Sequence, residues 1–210
     1  MGETLTLYTN PMSRGRIARW MLEELGEPYE TELLGYGESM KAPAYLAINP
    51  LGKVPAIVHG ERVVTENAAI CAYLADAFPA AALAPAADDR ADYYRWLFFA
   101  AGPLESALVN RALGVEVPPD RRGMVGYGEV ATLLDMLEAA CTRNPYLAGE
   151  RFTAVDVSAG SQIGWGLQFG TIERRPAFED YWARIGDREA YRRAKAIDDE
   201  AVQVMRTAPG

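Results

Sequence analysis

Ser13 closes the turn Thr9-Asn10-Pro11-Met12-Ser13 and is followed by two cations, Arg14 and Arg16, in the stretch "YTNPMSRGR". The residues before the turn read as a strand and those after it as a helix, so the serine falls where the helix begins. A serine at that position serves as an N-cap. The same geometry also gathers a hydroxyl, unpaired backbone N–H groups and the positive end of the helix dipole at one point, which suits an anion. Arginines oppose the dipole there, yet they make that point more positive. A thiol held in such surroundings ionises below its ordinary value near ~8.5. The chain places no cysteine nearby, its only two being Cys71 and Cys141, so such a thiol would come from outside. Arg16 reads equally as the partner of an acidic residue elsewhere.

Two further places carry candidate chemistry. Pro55 follows Val54 at the start of an apolar run, where a residue without an N–H belongs at a strand beginning or edge. The general expectation for such an X–Pro bond is trans. Glu66-Asn67 precedes an apolar helix, where Asn67 or Thr65 can cap and Glu66 suits the first turn. By contrast, Thr153 with Asp156 three residues on reads as a capping box with aspartate in place of the usual glutamate. Cys71 and Cys141 lie within apolar helical patterns and read as buried and inert. His59 falls in a turn, and with two separated cysteines it makes no metal set.

The elements that must position these residues follow from periodicity. Leu5, Leu7 and Tyr8 mark a first strand. Ile17, Met21 and Leu25 mark a helix face that Gly26 and Pro28 end, with Arg19 and Glu23 spaced as an i,i+4 pair. "YETELL" reads as a second strand, "GYGESMKAPAYLAINPLG" as irregular chain, and "KVPAIVHGERVV" as two strands joined at His59-Gly60-Glu61. A helix follows in "ENAAICAYLADAF". The order is βαβ, an irregular segment, then ββα, which predicts a small mixed sheet with a right-handed parallel crossover. Proline- and alanine-rich residues 81–88 read as a linker, and from residue 89 onward the signals are helical only. Tyr93, Leu97, Ala101, Leu104 and Leu108 form a stripe that Gly102-Pro103 should kink; Val130, Leu134, Leu137 and Cys141 form another. "SAGSQIGWGLQFG" is a helix of small residues suited to close packing.

Composition bounds the reading. The 210 residues are 50% hydrophobic and 24% charged, as in an ordinary globular protein, and the net charge of -8 argues against nucleic acid or an anionic membrane as a bulk electrostatic partner. No apolar run reaches the ~18 residues of a membrane span. Met1-Gly2-Glu3-Thr4 leads into no signal-like core. These features predict a cytoplasmic protein without a structural metal.

The βαβ-ββα order with Val54-Pro55 at its third strand resembles the thioredoxin-like fold. With the linker and the helical second half, the whole chain is similar to the glutathione transferases, of a cytosolic, bacterial-like, serine-type kind. The motifs "YTNPMSRGR", "NPLGKVPAIV", "TENAAICAYL" and "FTAVDVSAG" carry the resemblance by their order and spacing. It implies an α/β thioredoxin-like N-terminal domain over 1–80 that binds glutathione, and an all-α C-terminal helical domain over 89–210. It implies that Ser13 donates a hydrogen bond to the glutathione sulfur, with Tyr8 and Asn10 as rivals for that role. It implies a cis Val54–Pro55 bond whose valine backbone pairs with the cysteinyl part of glutathione, and Lys53 near the glycyl carboxylate (or a solvated hairpin lysine). Glu66 and Asn67 would take the γ-glutamyl end, Asn67 standing where the family most often has serine. Met12, Leu104, Trp165 and Phe169 are expected to line an electrophile pocket between the domains. The implied activity is conjugation of the glutathione thiolate to hydrophobic electrophiles, a detoxification chemistry, by a homodimer with glutathione as co-substrate and no tightly bound cofactor. Two alternatives stand beside it: a glutathione-dependent disulfide or peroxide reductase, and a non-catalytic interaction module.

Overall fold

A computed structural model describes residues 3–207; Met1-Gly2, read above for targeting, lie outside them. The first elements are β1 (Leu5–Thr9), α1 (Gly15–Leu25) and β2 (Glu30–Leu33), followed by two single turns, α2 (Glu38–Lys41) and α3 (Pro43–Leu46). Then come the hairpin β3 (Ala56–His59) and β4 (Arg62–Thr65), and α4 (Asn67–Ala77). The four strands stand in the order β2-β1-β3-β4, with β1 and β2 parallel and the other neighbours antiparallel. This is the mixed sheet that the βαβ-ββα pattern predicts. Leu5, Leu7 and Thr9 alternate inward along β1, while β2 is an exposed edge. Gly60, with φ of 60°, makes the hairpin turn that a side-chain-bearing residue would strain.

The helical part begins with α5 (Ala91–Phe99), a π-helical turn at Ala100–Leu104 and α6 (Glu105–Ala112). The Gly102-Pro103 kink expected from sequence is this π turn. The Ala100 carbonyl, which it displaces from regular pairing, accepts from Gln162 at 2.9 Å. The buried stripe here is Tyr93, Trp96, Leu97, Ala100, Leu104 and Ala107. Ala101 is exposed and Leu108 half-buried, a correction that arises because an apolar repeat of seven fits either a three- or a four-residue step. Next are α7 (Val130–Arg143), α8 (Ala154–Phe169), α9 (Pro176–Gly186) and α10 (Glu189–Thr207). The small residues of α8 do permit close packing: a Cβ on Gly164 would stand 2.5 Å from the Trp182 ring of α9.

The chain divides into two compact units, Ala82–Asp187 and the residues up to Ala81 together with those from Arg188 onward. Thus α10 belongs with the sheet rather than with the other helices that precede it. Its partner is α1, joined to it by a buried ion pair and a ring contact. Arg19 of α1, with its side chain only 2% exposed, meets Asp198 of α10 at 2.8 Å. Trp20 packs edge-on against Tyr191, with ring centroids 4.9 Å apart. Arg19 reaches Glu23 only through the Tyr29 hydroxyl, which accepts from Arg19 and donates to Glu23, so the i,i+4 pair expected within α1 is replaced by a bridge.

Candidate active site

Register brings the three candidate stretches to one end of the sheet. Tyr8 pairs with Ala56, and Ala56 pairs with Thr65 on its other side. The chain leaving β1 toward Ser13, the chain entering β3 from Val54-Pro55 and the chain leaving β4 toward Glu66 therefore emerge side by side. Thr9 also pairs with Leu33, so the end of β2 joins them. This is the carboxyl end of the parallel strands, where open α/β sheets receive ligands.

The turn carrying Ser13 is fixed from within. Asn10 is fully buried; its amide donates to the Leu34 carbonyl at 2.7 Å and its side-chain oxygen accepts from Met12 N–H at 2.8 Å. A buried brace engaged at both ends is not a donor presented to a ligand, which corrects the catalytic expectation for Asn10. The half-buried Ser13 hydroxyl donates to the Asn10 carbonyl at 2.7 Å and accepts from Gly15 N–H at 2.9 Å. It thus performs the capping role, although the helix proper starts at Gly15 after Arg14. Gly15 must be glycine, because a Cβ there would stand 1.9 Å from Thr9 Oγ1. The first turn of α1 holds no acidic residue. Arg16 is engaged with the Pro11 carbonyl and with Asp199 of α10. Tyr8, half-buried on β1, packs its ring against Tyr45 with centroids 5.7 Å apart.

The Val54–Pro55 bond is cis, as the resemblance implies. Both ladders of β3 begin at Ala56, which leaves the Val54 backbone outside them. The Lys53 carbonyl is held by the Tyr45 hydroxyl at 2.5 Å and by the Asn49 amide at 2.9 Å. Burial pushes the Tyr45 phenol up to about 12, which keeps it a donor. Lys41 ties down the Leu51 and Gly52 carbonyls, at 2.9 and 3.0 Å. The Lys53 side chain itself is exposed. Tyr45, Asn49 and Lys41 escaped the sequence reading because they sit in the irregular segment, where only "NPLG" signalled a turn.

Glu66 has φ of 69°, rare for a residue with a side chain, and no side-chain cap bond. Neither is Asn67 a cap: it is the first residue of α4, and its buried Oδ1 has no partner. The first turn of α4 holds no acidic residue and receives no side-chain cap, and Glu66 beside it is exposed. Backbone strain held next to an unsatisfied polar atom is a mark of a working site.

The expected electrophile walls are unequal. Met12 is 50% exposed, Phe169 is 70% exposed and Trp165 is half-buried. Leu104 is fully buried in the helical core and offers no surface to a ligand, which corrects its assignment. Cys71 and Cys141 are buried, and burial pushes both thiols up to about 12, so they are inert as expected. Among the described residues no group of acidic, histidine and cysteine side chains could hold a metal, and no helix is long and apolar enough to cross a membrane.

Residues 12–77 match the family model of the glutathione S-transferase N-terminal domain. Over 209 residues the chain is 31% identical to glutathione S-transferase 3 of Zea mays, covering 91% of this chain and 93% of that protein. Among solved structures, the theta class glutathione S-transferase of Xanthomonas axonopodis pv. citri, with glutathione bound, is 29% identical with a TM-score of 0.73, covering 91% of this chain and 97% of that one. A glutathione transferase of Phanerochaete chrysosporium in complex with oxidized glutathione is 25% identical with a TM-score of 0.78, covering 95% and 98%. The chain belongs to the glutathione transferase family. It has that family's thioredoxin-like unit and helical unit, and it is an enzyme of that class.

Proposed function

We propose that the protein conjugates glutathione to hydrophobic electrophiles, with Ser13 stabilising the thiolate. The observation that supports this reading is the convergence of the Ser13 turn, the Val54-Pro55 loop and the Glu66-Asn67 helix start at one sheet end. Glutathione lies along that end. Its γ-glutamyl carboxylate takes the first-turn N–H groups of α4, and its ammonium takes Glu66. The Val54 backbone pairs with the cysteinyl unit in the manner of an added strand. Lys53 serves the glycyl carboxylate. The Ser13 hydroxyl swings its hydrogen from the Asn10 carbonyl to the sulfur, and Arg14 and the α1 dipole add positive potential. The sulfur attacks an electrophilic carbon, a C–S bond forms and the leaving group departs with its electron pair. Met12, exposed beside Ser13, offers the electrophile apolar surface. Tyr8 is the lesser candidate because its ring is packed on Tyr45.

The protein acts as a homodimer, a reading supported by Tyr94 and Phe98, exposed one turn apart on α5. Light scattering checks it. The chemistry is tested by supplying glutathione with a chlorodinitrobenzene and, separately, with an alkyl hydroperoxide. Mass spectrometry should find the thioether in the first case and little glutathione disulfide in the second. Disulfide without thioether makes the protein a reductase. No glutathione binding by calorimetry makes it a non-catalytic module.

A further inference from the structure

Arg16 lies within a turn of Ser13, and both are half-buried. Its Nε donates to the Pro11 carbonyl at 2.5 Å, and its Nη2 meets Asp199 of α10 at 2.8 Å. Pro11 is buried, so its carbonyl needs a donor that the chain must supply. Pro11 follows Asn10, whose carbonyl receives both the Ser13 hydroxyl and the Ser13 N–H. The peptide that Arg16 grips is therefore continuous with the acceptor that aims the Ser13 hydroxyl. Only a guanidinium can bond back to Pro11 and sideways to Asp199 with one rigid fork. Although partial burial works the other way, bonds to Lys195 and Arg16 hold the Asp199 carboxyl below the usual range. It stays an anion that fixes the fork. The buried Arg19–Asp198 pair, one turn along, sets the height of α10 against α1.

We infer that Arg16, clamped by Asp199 of α10, is a positioning residue for the turn that carries Ser13. The last helix of the chain thereby tunes the reactivity of the glutathione sulfur without touching it. This rests on the reading of Ser13 as thiolate stabiliser.

Direct field and positioning predict opposite signs. Removing the Asp199 charge makes the surroundings more positive, which by Coulomb attraction alone would lower the thiol pKa of bound glutathione. If Asp199 works by holding Arg16, the same change raises it. Arg16→Lys keeps the charge but loses the fork, so the field alone predicts no change and positioning predicts a rise. Ultraviolet absorbance of the thiolate against pH, with glutathione bound, reads all of these. We expect Asp199→Asn and Arg16→Lys each to raise the thiol pKa by about one unit, a tenfold loss of thiolate. The double variant should do no worse than either single one, with glutathione affinity kept within about threefold. A fall or no change in both variants, while Ser13→Ala raises the pKa, overturns the inference and leaves the reading of Ser13 intact. No effect of Ser13→Ala overturns the reading, and the inference with it.

Discussion

Two helices of this protein have a hydroxyl residue at their start, Thr153 before α8 and Ser13 two residues before α1, and each accepts a backbone N–H there, but the charges around them differ. At α8, Thr153 Oγ1 accepts from Val155 N–H at 3.3 Å and Asp156 accepts back from Thr153 N–H at 2.9 Å. Asp156 also accepts from Leu147 N–H at 2.9 Å and from the Tyr181 hydroxyl at 2.7 Å, and it is fully buried. The helix start carries its own anion, and nothing is left for a ligand. Burial still raises the Asp156 carboxyl, against the pull of these donors, and raises the Tyr181 phenol with it. At α1 the hydroxyl is half-buried, the first turn has no acid, and two cations follow it, of which Arg16 is paired with Asp199 of α10. One start supplies its own anion and builds the fold. The other has none in its first turn, which is why the proposed function puts the glutathione sulfur there.

The difference can be broken from either side. Asp156→Ala removes the internal anion and leaves several buried donors unsatisfied. It should lower the unfolding free energy by about 4 kcal/mol in urea titration, while the protein that remains folded still binds glutathione. Ser13→Ala should do the reverse: conjugation slowed about a hundredfold, at a stability cost of only about 1 kcal/mol. If Ser13→Ala cost several kcal/mol with unchanged turnover per folded molecule, the two starts would not differ in kind. Asn67→Asp sharpens the comparison by giving α4 an anion of its own. Calorimetry should show glutathione held about tenfold more weakly, with little net change in stability because the dipole's favour for the new charge is offset by the burial of its unpartnered oxygen. The smallest effect is on acid stability. The Asp199 carboxyl, lowered by Lys195 and Arg16, contributes stability present above its unfolded pKa near ~4 and lost as the pH falls through the lowered folded value. Because the pair is partly exposed, wild type should lose only about 0.3 kcal/mol more than Asp199→Asn between about pH 5 and pH 3.

Local signals make much of this legible in the sequence alone. Alternation along Leu5–Thr9, the hairpin around His59-Gly60-Glu61 and the capping box at Thr153 each depend on neighbours in sequence, and each is present. What the sequence hid was the side-chain contacts between distant segments. Nothing in the periodicity of α10 says that Asp198 and Asp199 meet Arg19 and Arg16, almost the length of the chain away. For the same reason Asn10 read as a possible donor, when Leu34 across the sheet end already holds its amide. Leu104 read as a wall because burial depends on what packs around a π turn, not on hydrophobicity alone. The strain at Glu66 has no sequence signature at all, since glutamate is common before a helix.

The proposed role of the α1 start, holding a sulfur anion at Ser13, is tested most directly by ultraviolet titration of the glutathione thiol bound to wild type and to Ser13→Ala. Bound to wild type, the thiol should ionise about two units below its ordinary value near ~8.5, and Ser13→Ala should return most of that shift. An unshifted thiol on wild type, or a shift that survives Ser13→Ala in full, would contradict the account.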